Sequence, residues 1–453
     1  MNKKYLFIIL TLSLITRFAF FSYPAETVFD EVHFGKFISG YFTGEYFFDI
    51  HPPLGKLLIA GVAKINGFNP GFSFETIGQK FSDDSYKWLR FLPKLAGALL
   101  PLVIFLVVLE LGISQKFAFL AGLLLVFENS ILVQSRFILL DSFLLLFGFL
   151  SILFYLKHEG ISYKRSLITN TPYLFLSGFF ASLAGSIKWT GFSFLAMVLI
   201  FYFFETFKYK PCGLKLKFLI RSLFPLIVVP FLIYFSIFAI HFSLLSKPGP
   251  GLAFHQPNFQ ETNIFSKFIE LNIELYQSNA RLTASHPYSS QWYTWPLMIR
   301  PIFYWIGSTS TSTVSSVPND SPQVSGRIYF LGNPLIWWFS TVAVLWVLLC
   351  YILPRSYQNV TLNFLLGGYF LNLLPFIGVK RVMFLYHYFS SLIFAILILA
   401  YLLNKSPEKN QKIAFNAILT GSIILFLFFS PLTYGLAIPE WYYKLLVWLP
   451  SWR

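Results

Sequence analysis

The chain has 453 residues, 56% of them hydrophobic and 12% charged, with a formal net charge of +15 and two cysteines. Soluble domains carry about 25% charged residues, so this composition excludes a water-soluble globular protein. The positive charge is scattered over many short segments, which excludes the concentrated basic face that a nucleic-acid partner requires.

Apolar runs of roughly 20 residues recur along the chain, the length a helix needs to cross about 30 Å of hydrocarbon. Backbone polar groups in lipid must be satisfied within the segment, so the runs read as helices. Period-2 alternation is absent, which argues against an outer-membrane barrel. The predicted fold class is all-α and membrane-embedded. The predicted spans are 5–23, 91–111, 117–134, 137–156, 172–187, 189–207, 222–243, 331–353, 360–377, 383–403 and 413–433, eleven in number. The first run, Tyr5 to Phe21, follows Lys3 and Lys4, lacks a small-x-small cleavage site and carries Arg17 near its outer end; it reads as an uncleaved span.

Orientation follows from the Lys/Arg bias of short loops. With the N-terminus cytoplasmic, the inner segments hold Lys3, Lys4, Lys116, Lys157, Lys164, Arg165, Lys208, Lys210, Lys215, Lys217, Arg221, Arg355, Lys405, Lys409 and Lys412, fifteen basic residues, against Glu110, Glu159, Glu205 and Glu408. Cys212 and Cys350 fall near inner helix ends and have neither metal-ligand nor disulfide spacing. Residues 24–90 and 244–330 then lie outside. In the first segment, Val32 to Phe42 and Gly55 to Ile65 are amphipathic and read as interfacial helices. The second has Gly/Pro turns, many aromatics and a Ser/Thr-rich loop from Ser308 to Ser316. The whole chain reads as one polytopic membrane domain.

Candidate chemistry gathers on the outer side. Asp30 and Glu31 follow the first span, where partial desolvation raises a carboxyl pKa and suits a general base; two solvated acids at the start of an interfacial helix are the competing reading. In Asp49-Ile50-His51-Pro52-Pro53-Leu54-Gly55-Lys56, the prolines permit a helix to start. His51 and Lys56 stand near that start, which favours anions, or are incidental to the turn. Arg90, Arg136, Lys188, Lys380, Arg381 and His387 come from separate helix ends at one depth, as a lipid phosphate requires, although each alone suits an interfacial anchor. Asp141 is read as pairing with Arg136. His286, Tyr288 and Trp292 lie in an aromatic stretch that suits either a sugar platform or an interfacial belt. Asp30 and Glu31 are the acidic pair placed for a divalent cation, but the basic groups can neutralise a phosphate alone; no metal and no obligatory cofactor is expected.

The motif Phe29-Asp30-Glu31-Val32-His33-Phe34-Gly35-Lys36, followed by Asp49 to Leu57, closely resembles the opening of the protein O-mannosyltransferase family. The likeness continues through Arg90-Phe91-Leu92-Pro93, Gln134 to Ser142, Ser186 to Gly191, Ser246 to Gly251, His286 to Tyr304, Leu331 to Trp338 and Phe384 to Tyr388. The resemblance implies a C-type membrane glycosyltransferase fold with eleven spans in the cell membrane and an external active site. It implies inverting transfer of mannose from polyprenyl-phosphate mannose to Ser or Thr hydroxyls of a translocated polypeptide. Asp30 then takes the role of base, Glu31 positions acceptor or sugar, and Arg90 faces the donor phosphate or the acidic pair. Arg136, Lys188 and His387 are assigned to the phosphate. A related transferase with a lipid or glycan acceptor is the alternative. The eukaryotic members carry a β-trefoil domain in the second outer loop; residues 244–330 are too short for it, so the chain resembles the short prokaryotic members. Membrane lipid is a further partner, and a dimer is left open.

Overall fold

The computed structural model describes residues 2–159, 171–209, 212–282, 284–307, 324–352 and 359–453. Lys164, Arg165, Lys210, Arg355 and the Ser308–Ser316 loop lie outside these residues.

Helix α1 (Lys3–Phe18) starts where the Asn2 side chain accepts the Lys4 amide at 3.0 Å. It ends earlier than predicted, where the backbone leaves the helix at Ala19 and turns left-handed at Phe20 with a φ of 53°; Arg17 in its last turn points inward and donates to the carbonyls of Leu125 and Val126 at 2.7 and 2.8 Å. Two amphipathic helices follow, α2 (Glu31–Thr43) and α3 (Leu54–Ile65), close to the predicted stretches; α2 stops at Gly44, whose φ of 80° only glycine adopts freely. The long α4 (Tyr86–Glu110) runs through Pro93 and Pro101. The third predicted span is two helices, α5 (Gln115–Val126) and α6 (Asn129–Arg136), bent by 55°. The break has a local cause: Glu128 caps α6 by accepting the Ile131 amide at 2.7 Å, and Arg17 satisfies the carbonyls left at the end of α5.

Beyond them come α7 (Asp141–Glu159), α8 (Thr171–Ile187), α9 (Phe192–Tyr209), α10 (Cys212–Leu223) and α11 (Val229–Leu244), the last two joined by one π-helical turn. The segment between α11 and α13 holds an 18-residue amphipathic helix, α12 (Ile264–Arg281), and a hairpin of β1 (Ile302–Ile306) and β2 (Val324–Phe330). The strands run antiparallel, with Ile302 opposite Phe330 and a register shift between Phe303 and Trp305. The bundle is completed by α13 (Pro334–Ile352), α14 (Val360–Leu373), α15 (Phe389–Lys405) and α16 (Glu408–Tyr434). A short β3 (Ala437–Pro439) adds to the hairpin before α17 (Glu440–Leu446).

Among the described residues eight helices are long and apolar enough to cross a membrane, and the bent α5–α6 pair makes a ninth. The 17-residue α8 is apolar but shorter, and the 16-residue α1 carries Lys3, Lys4 and Arg17. Each of the eleven predicted spans thus falls on a helix or a bent pair. The three-stranded sheet is an addition that the all-α expectation did not contain. Helices α7 and α15 are buried along most of their length, whereas α16 turns most of its apolar surface outward.

Candidate active site

Asp30 sits at the N-terminal boundary of α2, and its side chain makes no capping hydrogen bond. The residue before it is constrained. Phe29 has a φ of 48°, a left-handed backbone that an L side chain adopts at a cost of about 1–2 kcal/mol. Its amide donates to the Tyr304 carbonyl at 3.2 Å, and its ring stacks on the Tyr304 ring at 4.0 Å and 6°. Such strain persists only where surrounding contacts over-determine it. Burial pushes the Asp30 carboxyl up to about 7; Lys188 opposes the shift, while Asp141 and Asp49 add to it.

Glu31 points the other way. One carboxylate oxygen accepts from Arg90 Nε at 2.7 Å and from the Ile138 amide at 3.0 Å; the other accepts from Arg90 Nη2 at 2.6 Å and from the Val28 amide at 2.9 Å. Both side chains of this bidentate pair are fully buried. Arg90 also donates to the carbonyls of Pro24 and Glu26, and its guanidinium lies about 5 Å from the rings of Phe81, Tyr86 and Phe137. Every face of Arg90 is therefore occupied. Of its two expected roles it takes the acidic pair, and no side is left for a donor phosphate. Glu31 likewise has no oxygen left for sugar or acceptor; it pins the loop between α6 and α7 to the start of α2.

A cavity of about 680 Å³ opens beside this framework, between the N-terminal ends of α7, α9 and α15 and the C-terminal end of α14, with α12 over it. Its apolar wall includes Leu144, Phe192, Ala196, Leu371 and Pro375, and its basic wall comprises Lys188, Lys380, Arg381 and His387. Lys188 lies just after α8, where the chain doubles back so tightly that a side chain at Gly191 would meet the Ala184 carbonyl at 2.2 Å. The Lys188 ammonium contacts Asp141 at 2.8 Å and lies 5.0 Å from the Tyr386 ring. Asp141 thus pairs with Lys188 and not with Arg136. Its other oxygen accepts from the Gln134 side-chain amide at 2.6 Å, and the Gln134 oxygen accepts the Tyr304 hydroxyl. His387 Nδ1 lies 2.9 Å from the Phe384 carbonyl, and its ring stacks on Trp295 at 12°. Burial lowers the Arg381 pKa, and no hydrogen bond or ion pair engages its guanidinium among the described residues.

A second cavity, of about 600 Å³, contains Asp30, His33, Asp49, Glu274 and Arg281 among the rings of Phe34, Phe37, Phe48 and Phe254. Ile50 and His51 line both cavities. Burial, reinforced by Lys188, Arg381, Lys56 and His387, holds the His51 pKa well below the usual histidine range, so His51 is a neutral imidazole at the junction. Helix α12 roofs both spaces, with Tyr276 and Asn279 over the first and Glu274, Ser278 and Arg281 over the second. Asn279 fastens it by donating to the Ile50 carbonyl at 3.0 Å.

Several predicted site residues lie elsewhere. Arg136 lines neither cavity. It is buried, donates to the carbonyls of Thr433, Phe20 and Tyr23, and lies 4.7 Å from the Tyr434 ring, which joins α6 to α16 and to the segment after α1. Lys56 is buried against Asp49 and the carbonyls of His51 and Pro52. It shapes the turn that presents His51 and reaches neither large cavity. His286, Tyr288 and Trp292 also line neither. Tyr288 and Trp292 pack against the core, and His286 meets the edge of Phe384 at 5.0 Å. The structure therefore brings Asp30, His51, Lys188 and His387 together and sets Glu31, Arg90, Arg136, Lys56 and the aromatic stretch to holding them. Arg381, Lys380 and α12 join the site. The pattern Phe265, Ile269, Ile273, Tyr276 against Glu270 and Glu274 carries the helical period that would have located α12.

Comparison with known proteins agrees with this architecture. Residues 7–246 match the family model of dolichyl-phosphate-mannose-protein mannosyltransferases, and residues 264–452 match the C-terminal four-transmembrane region of protein O-mannosyltransferases. Similar curated proteins include dolichyl-phosphate-mannose–protein mannosyltransferase 4 of Schizosaccharomyces pombe, 37% identical over 268 residues, covering 57% of this chain and 34% of that protein. Protein O-mannosyltransferase 1 of Drosophila melanogaster is 37% identical over 247 residues, covering 52% of this chain and 27% of that one. The chain thus spans about a third of the length of the curated relatives it matches. Among solved structures, the Saccharomyces cerevisiae Pmt1-Pmt2 complex bound to the sugar donor superposes with a TM-score of 0.89 at 20% identity, covering 100% of this chain and 92% of that one. ArnT from Cupriavidus metallidurans bound to undecaprenyl phosphate gives 0.61 at 12% identity, over 96% and 77%. The fold is that of the C-type membrane glycosyltransferases, and the protein is a multi-pass integral membrane protein. With matches to its N-terminal and C-terminal halves alike, the chain belongs to the dolichyl-phosphate-mannose-protein mannosyltransferase family.

Proposed function

We propose that the protein transfers mannose, with inversion, from polyprenyl-phosphate mannose to Ser or Thr hydroxyls of translocated polypeptides on the external face of the cell membrane. The N-terminus is cytoplasmic in this reading, in keeping with the basic inner loops. The observation that carries it is the placement of Asp30: a carboxylate without a capping bond, in a groove that meets a basic, apolar-walled cavity at His51.

The apolar wall suits the polyprenyl chain, and Lys188, Arg381 and His387 suit its phosphate. An acceptor segment in the second cavity brings its hydroxyl to Asp30. Asp30 removes the hydroxyl proton as the oxygen attacks the anomeric carbon, and the phosphate leaves toward the cations. A phosphate monoester anion departs without protonation, so one carboxylate suffices, unlike the acid–base pair of glycoside hydrolases. Lysine and arginine supply the charge that a metal ion would otherwise bring, and we assign no obligatory metal.

The test is transfer of radiolabel from polyprenyl-phosphate mannose by the purified chain to a Ser/Thr-rich peptide, a lipid or a glycan. Label on the peptide, released by mild alkali, is expected. Label on lipid or glycan with none on the peptide overturns the acceptor assignment.

Two further results follow from the site. Because Asp30 acts as a carboxylate and its pKa in the free protein is raised to about 7, kcat/KM is expected to fall as pH drops through that value, by about tenfold per unit on the acidic limb. A pH–rate profile flat from 5 to 8 contradicts this. Arg381→Gln removes a cation that no hydrogen bond holds among the described residues, so folding is expected to stay intact. A charged hydrogen bond is worth about 2 kcal/mol, so kcat/KM for the donor is expected to drop roughly 30-fold, with the acceptor KM unmoved.

A further inference from the structure

Tyr304 lies in β1, more than 270 residues from Asp30 in the chain, and its side chain is fully buried. Its contacts lead in two directions. The ring stacks on Phe29 at 4.0 Å, while its carbonyl receives the Phe29 amide, which holds Phe29 in the left-handed conformation from which Asp30 follows. Phe384 closes the other approach to Phe29, edge-on at 6.5 Å. The Tyr304 hydroxyl donates to Gln134, the Gln134 amide donates to Asp141, and Asp141 pairs with Lys188 in the basic cavity. An unbroken line of contacts thus joins the donor cavity to the residue that sets the direction of Asp30.

We propose that Tyr304 is a positioning residue, which aims the Asp30 carboxylate through the Phe29 stack and ties that aim to Lys188 on the donor side. The inference rests on the reading of Asp30 as the base. A left-handed Phe29 is unstable by itself, so without the stack and the Tyr304 carbonyl the turn relaxes toward right-handed or extended backbone. Asp30 then swings with it. A displacement of about 1 Å at a reacting group costs on the order of a hundredfold in rate. The geometry needs the ring more than the hydroxyl: the ring holds Phe29, and the hydroxyl only couples the two cavities.

The test uses the full chain in detergent with polyprenyl-phosphate mannose and a Ser/Thr peptide. Tyr304→Leu is expected to lower kcat about a hundredfold while both KM values stay within about twofold. Tyr304→Phe keeps the stack and is expected to recover kcat to within roughly tenfold of the wild type. Phe29→Gly loses the stack and leaves a residue about equally free in left- and right-handed backbone, so no ring fixes the turn; it should fold and behave as Tyr304→Leu does. It decides the matter if Tyr304→Leu fails to fold. A kcat close to wild type in Phe29→Gly, or a loss confined to KM, overturns the proposal. Carbodiimide modification of Asp30, read by mass spectrometry, needs no turnover: a changed rate in Tyr304→Leu and Phe29→Gly is expected, and an unchanged rate overturns the positioning role. If the wild type labels no peptide, the functional reading fails, while the modification rates still decide whether Tyr304 sets Asp30.

Discussion

Replacing Asp30 by Asn is expected to reduce mannose transfer on the order of a thousandfold, the share of a rate that a placed general base supplies. The variant keeps the size and shape of the side chain. Since the Asp30 carboxylate caps no helix amide, its loss leaves α2 intact. Donor affinity should hold or rise, because one negative charge disappears from beside the cavity proposed for the donor phosphate. The loss therefore falls on kcat and spares KM. Single-turnover transfer with donor pre-bound, measured beside the thermal midpoint, checks both halves of the statement. A loss below about tenfold would pass the role to another group in the same groove, where His51 and His33 are the neighbours.

Glu31→Gln and Arg90→Met are each expected to destabilise the fold by about 3–5 kcal/mol, because either change leaves the other member of a fully buried pair uncompensated. The cost extends beyond the pair. Glu31 also accepts the amides of Val28 and Ile138, and Arg90 also donates to the carbonyls of Pro24 and Glu26. One change loosens the segment before α2, the α6–α7 loop and the top of α4 together. The double variant Glu31→Gln, Arg90→Met should recover part of the loss, since no buried charge remains. Thermal or denaturant unfolding in detergent measures this. If Glu31→Gln unfolds as the wild type does and loses only its rate, Glu31 belongs to the chemistry and its assignment as a scaffold is wrong.

The contrast between Asp30 and Glu31 marks where the sequence stops being legible. Two adjacent acids before an amphipathic helix announce a site, and the periodicity of residues 32–42 and 55–65 locates α2 and α3 to within a residue. Eleven apolar runs foretell the bundle. Which carboxylate is buried with an arginine, and which opens to a groove, depends on where α4 sets Arg90 against the start of α2. Spacing carries no trace of that packing. The cations divide for the same reason. Arg136 and Lys188 both sit at helix ends, yet one meets the carbonyls of Phe20, Tyr23 and Thr433 and the other a cavity. Lys56, five residues after His51, looks like a second phosphate ligand and is consumed by its own turn. The hairpin escaped notice because β1 reads Ile-Phe-Tyr-Trp-Ile, without the alternation of a half-solvated strand. Tyr304 owes its place to that strand, so its contact with Phe29 was equally hidden.

The most direct measurement of the central claim is the anomeric configuration of the mannose on the peptide product, determined by NMR and set beside that of the lipid donor. A single displacement with Asp30 as base predicts the opposite configuration, formed at a rate that Asp30→Asn abolishes. Retention of configuration, or inverted product formed equally well by Asp30→Asn, contradicts the account.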